Sequence, residues 1–178
     1  NSAFATTVMV VFFPLFFKQY WSAGSDVTES TWNLGIANSV SSIIVAVLAP
    51  ILGALADARR AKKRWLAGFA ALGCIATTGL FFIPKGEWQL AAAAYALGLV
   101  GFAGSLVFYD ALLVSVASDT ESDRISALGY ACGYLGGGVL FTLNVLMATK
   151  PELFGLADAG TGVRVWFLTL PIWWALFT

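Results

Sequence analysis

The chain has 178 residues, 59% of them hydrophobic and 11% charged, with no histidine and a formal net charge of zero, whereas a soluble domain carries about 25% charged residues. This balance offers no basic surface for nucleic acid, no histidine for a zinc site and no Ser-His or Cys-His nucleophile. A membrane-embedded chain without metal or cofactor is the class that remains.

Six apolar stretches follow one another at about 1 to 22, 31 to 56, 65 to 84, 88 to 117, 125 to 148 and 163 to 178. A spanning helix needs about 20 residues, because a rise of about 1.5 Å per residue must cross about 30 Å of hydrocarbon. The first five stretches are long enough, and the sixth runs to the last residue. The runs are rich in Ala, Leu and Gly and lack the period-2 alternation of a membrane barrel. Asn1 follows no basic leader and Thr178 falls inside an apolar run. The expectation is therefore one helical bundle over residues 1–178, cut from a longer protein at both ends.

In the first stretch, Tyr20 and Trp21 lie at the outer boundary, where Trp32 and Trp88 also fall, as interfacial aromatics do. The second stretch places Gly35, Ser39, Ser42, Ala46, Ala49 and Gly53 at alternating steps of four and three, which makes one narrow face for close helix approach in lipid. Asn38, which can both donate and accept, is the candidate cavity residue of that helix. Between the second and third stretches Arg59, Arg60, Lys62, Lys63 and Arg64 occupy five of six positions. Five cations in hydrocarbon would each cost about 2.5 to 3.5 kcal/mol, so the loop lies outside it, and the positive-inside rule puts it on the cytoplasmic face. The breaks at 23 to 30, 85 to 87 and 149 to 162 then face outward, and that at 118 to 124 faces inward. Asp57 ends the second helix against the negative end of its dipole, so a cation such as Arg64 is its expected partner.

The fourth stretch contains Asp110, about 22 residues or about 33 Å below Trp88 and therefore near the inner interface. An ionisable group at such a position is a candidate for proton coupling or substrate contact. The alternative is a structural anchor, paired with Arg124 or the basic loop. The fifth stretch repeats the small-residue pattern with Gly129, Gly133 and Gly137, and carries Tyr130 and Tyr134 as further polar candidates. Cys74 and Cys132 lie inside apolar runs and are read as small packing residues. Packing between helices of this bundle and a mobile contact with a second bundle are both open for the small faces.

The segments "NSAFATTVMVVFFPLFFKQYW", "GALADARRAKKR", "FYDALLVSVASD" and "RISALGYACGYLGGG" resemble the major facilitator superfamily, and within it the vacuole-effluxer or "unknown major facilitator" branch. In the loop signature Gly53, Asp57 and the run Arg59 to Arg64 carry the likeness, with Arg60 or Ala61 where a glycine is usual. The resemblance implies an all-α membrane protein: the amino-terminal six-helix half of a facilitator fold, built as a 3+3 inverted repeat. Asp57 and the basic run would form the cytoplasmic gate. It also implies a secondary transporter with a small-molecule substrate, such as an amino acid, bound between this bundle and the carboxy-terminal six-helix half. The lipid bilayer would be its other partner. A bacterial plasma membrane is the first choice of location and a fungal vacuole the second. An intramembrane hydrolase lacks its residues here, since Asp110 has no acidic companion within a span for an aspartyl dyad. A non-transporting scaffold or receptor with the same fold is the competing class.

Overall fold

The structure, a computed structural model, describes residues 12–58, 61–116 and 122–178, and their side chains other than those of 56–58, 114–116 and 122. Helix α1 (Phe13–Phe16) continues as a π-helical turn, Phe17–Trp21. It is followed by α2 (Val27–Ala58), α3 (Lys62–Phe82), α4 (Trp88–Val116), α5 (Ser122–Thr149), a 3₁₀ turn at Pro151–Phe154 and α6 (Ala159–Leu176). Three of the long helices begin three or four residues before the apolar stretches do, Val27 against 31, Lys62 against 65 and Ser122 against 125, whereas α4 begins with its stretch at Trp88. The first turn of a helix has unpaired N–H groups that favour polar and acidic residues, and Glu29 and Asp123 occupy those turns. Hydropathy alone therefore trims α2 and α5 at their amino ends.

Among the described residues four helices are long and apolar enough to cross a membrane: Val27–Leu55, Lys62–Phe82, Trp88–Leu113 and Asp123–Thr149. The expected count of six is not reached on that measure, because α6 has 18 residues and includes Arg164, and only the last part of the first stretch is described. The long helices pack in the order α2, α4, α3, α6, α5, while α4 and α5 touch sparingly. A gap between those two is the result.

Lipid tails are as apolar as leucine, so helices in a bilayer are held by close van der Waals packing rather than by exclusion of water. The α3–α4 contact is built that way. A Cβ added at Gly101 would meet the backbone of Gly73 and Phe69, and one at Gly104 would strike the Phe69 ring. One at Gly73 would enter the indole of Trp174 from α6. Gly162 of α6 lies equally close to the Met147 backbone of α5. Each seam rests on a missing side chain.

At one end of the bundle the tail of α1 closes the space between α4 and α6 with aromatic rings. Phe13 stacks on Tyr95 at 3.8 Å between centroids, and Trp21 lies 5.5 Å from Phe167. Trp21 was expected at the interface; it is fully buried and donates its indole N–H to the Ile83 carbonyl at 3.3 Å. Trp32 is the exposed ring of the group. The Gly86 N–H donates to the Tyr20 carbonyl at 3.2 Å, so the breaks after the first and third stretches share this end, as alternation requires.

Helix α2 divides into three faces. Leu34, Ala37, Ser41 and Leu52 are buried. A second face holds the small residues Gly35, Ser39 and Ser42, with Ser39 and Ser42 exposed and open space around Gly35 and Gly53. The third is a row of branched side chains, Ile36, Val40, Ile43, Val47 and Ile51, all exposed.

Gly101→Ala is expected to destabilise the bundle by about 1–3 kcal/mol through overpacking, whereas Gly35→Ala is expected to be neutral or to gain about 0.5–1 kcal/mol from helix propensity. Thermal unfolding in detergent compares them, and equal losses would contradict the packing. At the start of α6, Asp158 accepts the Thr161 N–H at 2.8 Å and the Thr161 hydroxyl at 3.2 Å. The Thr161 backbone hydrogen bond holds the Asp158 carboxyl below its ordinary value. A folded value below the unfolded one means that the cap acts fully above about pH 4 and is lost as pH falls through the folded value. Amide protection in the first turn of α6 is therefore expected to fall on acidification, and Asp158→Asn, which still caps, is expected to remove that pH dependence.

Candidate functional site

The sparing contact between α4 and α5 leaves a cavity of about 300 Å³, bounded also by α3 and α6. Its described lining includes Tyr109 and Asp110 of α4, Ser126, Gly129, Tyr130 and Gly133 of α5, and Trp173, Trp174 and Phe177 at the end of α6. Trp174 is buried at the back, whereas Tyr109, Asp110 and Tyr130 are exposed at the mouth. The α5 glycines make room for the lining. A Cβ at Gly129 would come within 2.9 Å of the Tyr109 hydroxyl, and one at Gly136 would rest on the Trp173 indole at 3.6 Å.

Asp110 is the one charged side chain among the described lining residues. Helix periodicity explains its position: Gly101, Gly104 and Ser105 are buried on the opposite side of α4. Polar lining groups besides Asp110 are the hydroxyls of Tyr109, Ser126, Tyr130 and Thr178, the Cys132 thiol and the indole N–H groups of Trp173 and Trp174.

The structure brings Asp110, Tyr130, Gly129 and Gly133 together and leaves other expected site residues elsewhere. Tyr134 is exposed one turn beyond Tyr130, and half-buried Asn38 belongs to α2; neither is part of the described lining. Gly137 is buried on the inner face of α5, whereas Gly35, Ser39 and Ser42 lie on the unpacked face of α2. Arg59 and Arg60 lie outside the described residues, and so does the side chain of Asp57. Lys63 and Arg64 are exposed. Lys62 turns inward and donates to the Ala111 carbonyl at 3.1 Å, placing a cation near the negative end of the α4 dipole, one residue from Asp110.

Sequence reasoning missed Arg164. Its guanidinium donates to the Phe81 carbonyl at 2.8 Å and lies over the Tyr20 and Phe81 rings, at 5.8 and 5.1 Å from their centroids. One side chain thereby ties α6 to the end of α3 and to the tail of α1. A lone arginine at the start of an apolar stretch was the signal, but its partners are a carbonyl and two rings far away in sequence.

A family profile described as "Vacuole effluxer Atg22 like" matches residues 33–122. The chain belongs to this vacuole effluxer Atg22-like family. The match covers α2, α3 and α4 and so includes Asp110 and the basic loop. Among curated proteins, the uncharacterized MFS-type transporter YxiO of Bacillus subtilis is 35% identical over the whole of this chain, which covers 42% of that protein. The multidrug resistance protein MdtG of Yersinia enterocolitica is 27% identical over 97% of the chain and 38% of its own length. The chain thus spans less than half the length of these relatives. No solved structure matches it. The apolar helices and the family together make this vacuole effluxer-like chain an integral membrane protein.

Replacing Arg164 by Ala is expected to lower stability by about 1.5–3 kcal/mol, the range for hydrogen bonds to charged groups. Arg164→Lys should recover only part of that, because an ammonium lacks the planar fork that spans two rings and a carbonyl. Melting temperatures of the two variants in detergent provide the check.

Proposed function

We propose that this chain is the amino-terminal six-helix bundle of a secondary active transporter, working by alternating access with a second bundle of similar size. Asp110 at the mouth of the α4–α5 cavity carries the reading. An ionisable side chain within a membrane-spanning helix is by default a functional candidate, and this one, near the inner end of its span, faces a cavity large enough for a small molecule rather than a neighbouring helix. The MFS-type transporter name of the Bacillus subtilis relative supports the same class, and an enzyme is not implied.

The two unpacked faces of α2 differ in a way that suits this reading. Branched side chains fit acyl chains, while the stripe at Gly35, Ser39 and Ser42 suits the close, smooth approach of another helix. The second bundle would rock across that stripe while cargo is held between the two bundles. Asp57 and the basic run, with Lys62 already joined to α4, would form the cytoplasmic side of the gate. The cargo is a small solute, with amino acids the class that family resemblance implies, and the bacterial relatives favour the plasma membrane.

The test is solute counterflow by the full-length protein in liposomes, with and without a pH gradient. Asp110→Asn is expected to abolish the proton-dependent part of the flux while the protein still elutes as a folded species. Undiminished proton-dependent uptake would remove Asp110 from the coupling, and an absence of flux for every solute tried would favour a scaffold.

A further inference from the structure

We infer that the α4–α5 cavity selects a small organic cation, a protonated amine on an aromatic or aliphatic body, in preference to a zwitterionic amino acid. This rests on the transporter reading above, and it replaces the amino acid that family resemblance implies by a cargo of stated charge.

Three features of the lining converge on that chemistry. The first is the charge balance. Asp110 is the single charged group of the described lining, and an exposed carboxylate at the mouth of an apolar cavity gains most from a positive partner that it can also hydrogen-bond. A zwitterion would bring its own carboxylate into a cavity whose described lining holds no cation to pair with it, only hydroxyl, thiol and indole donors. An anion would meet like charge.

The second feature is aromatic. Tyr109 and Tyr130 flank the carboxylate at the mouth, and Trp173, Trp174 and Phe177 line the α6 side. The faces of such rings attract ammonium groups, the more so where water is scarce. The same rings offer a dry surface to the rest of the molecule. Trp173 and Phe177 lie with centroids 4.9 Å apart, and Trp174 is held edge-on by Phe102 at 6.4 Å, so the apolar wall is ordered rather than improvised.

The third is the ligand inventory, which disfavours an inorganic cation. Among the described residues no group of three or more metal-binding side chains is present, and hard cations take six to eight oxygen ligands at short range. One carboxylate and a few hydroxyls suit an ammonium with an organic body instead. A cavity of about 300 Å³ lies at the small end of ligand sites, which sets the scale at a single ring with a short side chain.

Phenylethylamine and phenylalanine differ by one carboxylate, and 2-phenylethanol replaces the ammonium by a neutral hydroxyl. Binding of radiolabelled 2-phenylethylamine to the purified full-length protein, with the other two as competitors, therefore reads the charge rule directly. Phenylethylamine is expected to bind at least about tenfold more tightly than either competitor, in keeping with charge-assisted and cation–π gains. Asp110→Asn should abolish the preference and Asp110→Glu should retain it. Tyr130→Leu should weaken the amine more than the alcohol, which provides a second variant if Asp110→Asn does not fold. No binding of the amine, equal competition by phenylalanine or the alcohol, or an unaltered preference in Asp110→Asn would each overturn the inference.

The two readings fail separately. Selective amine binding without counterflow in liposomes would leave the cation site standing and defeat transport. Counterflow of phenylalanine with none of phenylethylamine would do the reverse.

Discussion

The bundle depends on one constraint: in lipid, apolar side chains gain nothing by turning inward, so helices stay together only where backbones approach closely or polar groups find one another. Gly73, Gly101 and Gly104 meet the first condition at the α3–α4 seam, where any added side chain would collide with backbone or ring. Gly162 meets it between α5 and α6. Between α4 and α5 the condition is met at few points, Gly129 against the Tyr109 hydroxyl being one. The cavity is therefore a consequence of packing: it opens where the glycine seams are missing, and whatever α4 and α5 point into that gap becomes available to a ligand.

The positions of the long helices were legible in the sequence to within about one turn, because hydropathy marks the length that hydrocarbon demands. Helix ends were less legible, since polar first turns read as loop. The family was legible as well, from the loop after α2 and from the segments around Asp110 and Gly129. Membership came through residue identity and not through composition, which would suit any bundle of apolar helices. Asp110 could be singled out because a lone acid in an apolar run is conspicuous wherever the helix turns.

Which small residues pack against what could not be read. Gly35, Ser39 and Ser42 look like Gly129, Gly133 and Gly137 by spacing, yet the first set lies on an unpacked face of α2 while the second lies along the inward side of α5. Spacing places residues on a common face; only the arrangement of the other helices says what that face meets. Trp21 shows the same limit for aromatics. A tryptophan near the end of an apolar run suits the bilayer surface, but here the α1 tail turns back over Tyr95 and Phe167, and the indole N–H finds the Ile83 carbonyl inside the protein. Arg164 was hidden for a related reason, since a carbonyl and two rings leave no charge pattern to find.

Both ends of the bundle hold stacked rings, and the ends differ in their charged groups. At the end shared by Tyr20, Phe81 and Arg164, stacked rings and hydrogen bonds to backbone carbonyls act over short distances and depend on exact geometry. At the opposite end Trp65 and Phe69 stack on Phe108, each at 5.9 Å between centroids, Lys62 reaches the Ala111 carbonyl, and Lys63 and Arg64 remain exposed. Exposed charges there act over about a Debye length of roughly 10 Å and are screened by salt. Asp110 sits beside the point where that charged end joins α4, two residues from Phe108, which is fully buried in the ring stack, yet it is itself exposed. A group that must exchange a partner, whether proton or ligand, is served by that exposure, while the rings beside it hold its helix in place.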